Sequence, residues 1–146
     1  MASLVYTRAK FQIANGDIDL TGDDIRVMLV KVSGSTTTDT EEDVTLMNGF
    51  STLGELVATN YVRKALANEA VNEDTANDRA EFDADDVVWS SLGGATNDTI
   101  GALLVLKHVT NDADSIPIAY IELTDTTTNG GDITVSWNVE GILQLT

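Results

Sequence analysis

Thr99-Ile100-Gly101-Ala102-Leu103-Leu104-Val105-Leu106-Lys107-His108-Val109 is the stretch whose reading decides the fold. Between Ala102 and Leu106 both alternating faces of an extended chain are apolar. That is the pattern of a central strand covered on both sides. Ile116 to Leu123 follows after the Asp-rich turn Asn111 to Ser115, with Pro117 at its start, where a missing N–H costs least. Beyond Asn129-Gly130-Gly131, the segment Asp132 to Asn138 puts Ile133, Val135 and Trp137 on one face, and Ile142 to Leu145 closes the chain after Gly141. On the N-terminal side, Ile25 to Val32 is rich in β-branched residues and reads as a strand. Arg79 to Asp83 and Val87 to Trp89 are shorter strands, preceded by a looser β pattern from Tyr61 to Val71 and the turn-rich Asn72 to Asp78.

Short strands about ten residues apart, joined by Gly, Asn, Asp and Thr turns, predict an all-β fold: an antiparallel β-sandwich or a jelly-roll-like barrel. One or two short helices are expected in the N-terminal half. Tyr6 to Ala14 suits a short amphipathic helix or an edge strand, the helix being preferred, and Asn15-Gly16 turns the chain after it. Met47 to Ala58 carries helix-like spacing, with Ser51 or Thr52 as cap, but Gly49 and Gly54 keep it irregular. Residues 33–43 hold no apolar side chain and read as an exposed loop. No repeat and no linker composition divides the chain. Residues 1–146 are therefore read as a single β domain, with residues 1–15 as an N-terminal docking segment.

A 146-residue domain buries roughly two-thirds of the surface its unfolded chain exposes, so no staple is required. The absence of cysteine excludes disulfides, thiolate metal sites and cysteine nucleophiles. The opening residues show no apolar run behind a basic one, and the longest apolar stretch, Ile100 to Leu106, is too short to span a bilayer. A soluble protein with no export signal and no membrane partner is expected.

Charge is the strongest compositional feature, with 24 acidic and 8 basic residues giving −16. Residues 1–31 are balanced: Arg8, Lys10, Arg26 and Lys31 against Asp17, Asp19, Asp23 and Asp24. The entire net charge lies beyond them. Such a surface repels phosphate backbones and anionic membranes, so no nucleic-acid partner is expected. It also keeps a protein soluble at high local concentration.

No constellation of nucleophile, base and orienting group is readable, and the chain is not expected to be an enzyme. His108, the only histidine, ends the central strand, and no serine stands in a Gly-x-Ser-x-Gly elbow beside it. A half-buried or edge histidine is the plain reading. Three loops are dense enough in Asp and Asn to suggest Ca²⁺: 72–78, 83–86 and 111–114. The candidate ligands are Asp83, Asp85, Asp86, Asp112 and Asp114, but none of these loops has EF-hand spacing, and Asx turns explain the same composition. No cofactor is expected. Carboxylate pairs carry no signal when 24 acids are present, and aromatic residues, 5% of the chain, are few for a sugar cleft. Trp89 and Trp137 lie in β segments and read as core. Ser91 to Thr96 contains two glycines but lacks the lysine and following helix of a phosphate loop.

The stretch from Val71 to Ser91 contains Asp74-Thr75-Ala76-Asn77-Asp78-Arg79-Ala80-Glu81-Phe82-Asp83-Ala84-Asp85-Asp86-Val87-Val88-Trp89-Ser90-Ser91. It resembles small virion proteins of tailed bacteriophages, in which a segment of the type D-x-A-N-D-R-A-x-F-D-A-D-D-V-x-W-S-S precedes an apolar strand. A P-L-I-A-Y-I type strand and a closing N-G-G-D-I-T-V-x-W-N-x-x-G-I segment follow there. Ser115 to Ile121 and Asn129 to Ile142 stand here in the same order and spacing. Lys10 to Val30 is similar to the family's short helix, G-x-I-D-L turn and I-x-V-M-L-V strand, while residues 32–65 depart from it.

The resemblance implies a structural component of the virion, a head decoration protein or another minor part. It leads to the expectation of a capsid decoration or cement protein that binds the major capsid protein on the outer surface of the assembled head. A dimer or trimer on the capsid lattice is expected with it. The near-neutral N-terminal segment is the candidate contact, through Tyr6, Arg8, Lys10 and Phe11. A tail or adsorption-apparatus component shares the same evidence. A calcium-dependent carbohydrate-binding module is the reading from another class, and it requires Trp89 or Trp137 at the surface.

Overall fold

The computed structural model describes residues 3–32 and 41–146. Most of the loop expected over 33–43 lies outside the described residues. The chain is an all-β antiparallel sandwich with one α-helix in its N-terminal half. In order, the elements are β1 (Leu4–Val5), α1 (Thr7–Asn15), β2 (Ile25–Lys31), a 3₁₀ turn (Met47–Gly49), β3 (Lys64–Ala65), β4 (Ala70–Asp74), β5 (Arg79–Asp83), β6 (Val87–Leu92), β7 (Thr99–Lys107), β8 (Ile116–Thr127), β9 (Gly131–Val135) and β10 (Leu143–Leu145).

β7 is the middle strand of a five-stranded sheet ordered β1-β8-β7-β2-β3. Its neighbours follow the alternation of side chains. Leu103 stands beside Leu29 and Ile121, and Val105 beside Val27 and Ala119, on one face. Leu104 stands beside Met28 and Tyr120 on the other. Both faces are buried because two different layers cover them.

The first layer consists of two small sheets, β10-β5-β4 and β6-β9. Phe82, Leu143, Val87, Trp89, Leu92 and Val135 pack from them onto the central sheet and form the main core. The second layer is irregular. Met47 and Phe50, with Tyr6, close over Met28, Val30, Ala102, Leu104, Leu106 and Tyr120. The segment around Met47 makes only a 3₁₀ turn, whose N-cap is Leu46 with no side-chain cap. Ser51, expected as a cap, instead donates its amide to the Glu41 carboxylate at 2.9 Å.

The ends of β8 and β4 differ from the periodicity reading. β8 runs four residues past Leu123, into a Thr-rich segment whose side chains are polar and exposed, so hydrophobicity does not mark it. β4 extends to Asp74, leaving only Thr75 to Asp78 as the hairpin turn, with Asp78 in the left-handed region at φ 53°. Pro117 sits opposite Leu106, where the register between β7 and β8 shifts, and the irregularity accommodates its missing donor. Among the described residues no helix is long and apolar enough to cross a membrane.

Candidate functional site

The expected contact segment is built on α1. Gly16 ends the helix in the left-handed conformation at φ 80°, its N–H returning to carbonyls of the last turn, as a glycine C-cap does. Ala9 and Gln12 face inward. The opposite side presents Lys10 and Phe11, with Arg8 half-buried beside them. Phe11 is 56% exposed, and the Arg8 guanidinium lies 5.5 Å from the centre of its ring, within cation–π range. Arg26, Arg63, Arg79 and Lys107 each close on carboxylates. Arg8 and Lys10 form no ion pair among the described residues.

Tyr6 departs from the expectation. It is fully buried, its amide donates to the Ile118 carbonyl at 3.0 Å, and its ring meets Phe50 edge to face. It belongs to the second-face core and presents no contact surface. The extended arm before α1 crosses the sheet edge, which turns residue 6 inward and the helix outward.

The five candidate calcium ligands occupy two separate loops and are engaged in the turns and pairs they stabilise. Asp83 Oδ1 accepts from the Ala84 amide at 2.9 Å, and Asp85 Oδ2 from the Asn68 side-chain amide at 2.6 Å. Asp86 accepts from Ser136 Oγ at 2.7 Å and from the Trp137 amide at 3.3 Å. Asp112 pairs with Arg63, whose guanidinium also binds Glu55. Asp114 accepts the amides of Asn111 and Thr110 at 2.8 and 2.9 Å. These donors, the Asn111 amide first, hold the Asp114 carboxyl below the ordinary aspartate value. Among the described residues no three acidic or histidine side chains converge as a cation would require. Asp83 and Asp114 serve local turns, Asp85 and Asp86 tie separate loops together, and Asp112 is held in an ion pair.

His108 is half-buried, with Nδ1 3.5 Å from Ser115 Oγ. That hydroxyl is fully enclosed, donates to the Asn111 carbonyl at 2.7 Å and accepts the Val109 amide at 3.2 Å. It closes the turn between β7 and β8.

The residues that carry the phage resemblance have architectural roles. Arg79 binds Asp74, Glu81 and Glu140 together, tying the β4–β5 hairpin to the loop before β10. Phe82, Val87 and Trp89 are core, and the Trp89 indole N–H donates to the Val62 carbonyl at 2.8 Å. Asp85 and Asp86 together hold Trp137, the first through its carbonyl to the indole N–H at 2.9 Å.

A groove that periodicity did not reveal runs along the outer side of β8. Three depressions of about 210, 370 and 230 Å³ share lining residues and form one trough from Ala119 to Thr126. Its far wall comes from Ile133 to Trp137 and from Gly141 to Gln144. The alternation of Ile133, Val135 and Trp137 was the one legible sign of it; the opposing wall belongs to the preceding strand, β8.

The fold and these surfaces define an antiparallel β-sandwich whose conspicuous residues are engaged in architecture. Against known protein-family models, curated proteins and solved structures, the chain finds no match.

Proposed function

We propose that this chain is a structural protein of a tailed-phage virion: a decoration protein seated on the outer surface of the assembled head, contacting the major capsid protein and repeating as a dimer or trimer. It carries out no reaction. The observation that supports this reading is the use of the resembling motif. Asp74, Arg79, Glu81, Phe82, Asp86, Val87 and Trp89 are all engaged in holding hairpin, sandwich and closing loop together. A shared pattern of that kind marks a common scaffold, and the virion resemblance rests on it.

The distribution of charge supports an outer position, since a −16 surface opposes dense phosphate inside a filled head. The outward side of α1, with Arg8, Lys10 and Phe11, is the docking face in this reading, and Tyr6 anchors it to the sheet. Many copies on a lattice need only a modest contact each.

Gold-labelled antibody against this chain, applied to intact particles, tests the proposal. Label distributed over the head surface is the expected result. Label confined to the tail would transfer the protein to the adsorption apparatus, and particles without label, before and after disruption, would remove it from the virion.

A further inference from the structure

We propose that the free edge of β4 is a docking site for an extended basic segment of a partner protein, which adds to the β10-β5-β4 sheet as a further antiparallel strand. β4 ends that sheet. Its residues are registered with β5 from Ala70 opposite Asp83 to Asp74 opposite Arg79, and among the described residues no second strand pairs with it. Val71, Asn72 and Glu73 are all exposed. The strand offers about 17 Å of backbone at strand rise, and an added strand takes its affinity from main-chain hydrogen bonds along such an edge.

The face that β4 shares with the core supplies the specificity. Val71 lies opposite Phe82, and Glu73 lies opposite Ala80, whose partner on the far side is Leu145. Phe82 is enclosed by the core, whereas Val71 at the edge is 49% exposed and Leu145 41%. At the hairpin end the same face opens into a depression of about 370 Å³, lined by Ala80 and Leu145 and by Glu73 and Asp78. An added strand therefore meets an uncovered apolar side chain and, two residues on, a carboxylate beside a cavity. Side chains two apart on a strand share a face, so the fitting segment carries an apolar residue and a lysine or arginine at that spacing.

Charge decides the occupant. Glu69, Glu73 and Asp78 form no ion pair among the described residues, and Arg79, the one cation of the hairpin, is already shared by Asp74, Glu81 and Glu140. The open edge is thus bordered by uncompensated carboxylates on a −16 chain. Such a border favours a basic strand and opposes an acidic one. The same groups reject a second copy. β4 against β4 would bring the acidic residues of both copies together, which is how native edge strands refuse self-pairing.

The inference goes beyond the virion reading and does not rest on it. It is tested on the isotope-labelled full chain with a capped peptide of threonines in which lysine and valine stand two positions apart. The expected result is amide shifts centred on residues 69–83 and Leu145, with exchange protection of the β4 amides that face away from β5. Affinity should fall about tenfold when glutamate replaces the lysine of the peptide. Glu73→Lys, at an exposed position, should reverse that preference. No shifts at millimolar peptide, shifts elsewhere, or shifts without added amide protection would each overturn the proposal. So would equal binding of the two peptides, an unchanged preference in Glu73→Lys, or a concentration-dependent dimer of the free chain that protects the same amides.

Discussion

Tyr6 and Phe50 meet edge to face with ring centroids 5.5 Å apart and planes inclined at 71°. The contact joins the arm before α1 to the irregular segment that covers the second face of the central sheet. Offset and edge-on aromatic pairs add to the stabilisation from burial alone. Removing the ring should open a void over Leu104 and Tyr120. Tyr6→Ala is expected to lower stability by about 3–5 kcal/mol, measured by urea unfolding. Arg8→Ala and Lys10→Ala should each stay within about 0.5 kcal/mol. If Tyr6→Ala were as mild as the other two, Tyr6 would be a surface residue after all.

Gln12 offers a gain. Its side chain is buried, and Oε1 has no hydrogen-bond partner among the described residues. An unpaired buried amide oxygen forfeits its hydration without compensation. Gln12→Met keeps the length and removes the polar atom, and the helix-ending bonds to the Gln12 backbone carbonyl survive. An increase of about 1 kcal/mol in unfolding free energy is expected, and a loss of similar size would mean the amide has a partner in solution.

Gly141 stands at φ 83°, and a Cβ there would lie 2.6 Å from the Phe82 carbonyl oxygen. Both the left-handed backbone and the close approach exclude a side chain. The neighbouring Ile142 amide donates to that same carbonyl at 2.7 Å, so the approach cannot relax without breaking the junction to β10. Gly141→Ala should cost about 1–3 kcal/mol. Calorimetry would register it as a lowered melting temperature, and an unchanged one would refute the assigned backbone strain.

Asp114 should make stability depend on acid. Its folded carboxyl is held below the ordinary aspartate value by the Asn111 and Thr110 amides. The stability this contributes is present above the unfolded value and lost as pH falls through the lowered folded one. Asp114→Ala is therefore expected to be less stable than the parent chain at pH 6, with a smaller difference at about pH 3. Urea midpoints of the two proteins at both pH values check the sign. A gap that widens in acid would contradict it.

How far the sequence reaches can be judged residue by residue. The run Ala102 to Leu106 by itself determined a central strand covered on both sides, because side-chain alternation is a local property of extended backbone. Ile25 to Lys31 and Arg79 to Asp83 were legible for the same kind of reason, since β-branched runs and turn residues act within a few positions; the stretch before the Asn15-Gly16 turn fitted a helix or an edge strand, and the structure makes it a helix. The architectural role of the Asp74–Trp89 stretch was partly legible, as core for Phe82 and Trp89, but the partners of Arg79 were not. Glu140 lies 61 positions away, and nothing in either segment names the other.

Only the tertiary structure decided what covers each face. Tyr6 and Phe11 are both aromatic residues of one short N-terminal stretch, yet the first is enclosed and the second is 56% exposed. The register of two residues of β1 on β8 sets that difference. The groove beside Trp137 is likewise made of strands from separate parts of the chain, brought to one edge by sheet order. Local periodicity specifies an element and its apolar side; the element that meets that side is chosen by long-range packing, whose free energy is shared among residues no sequence window contains.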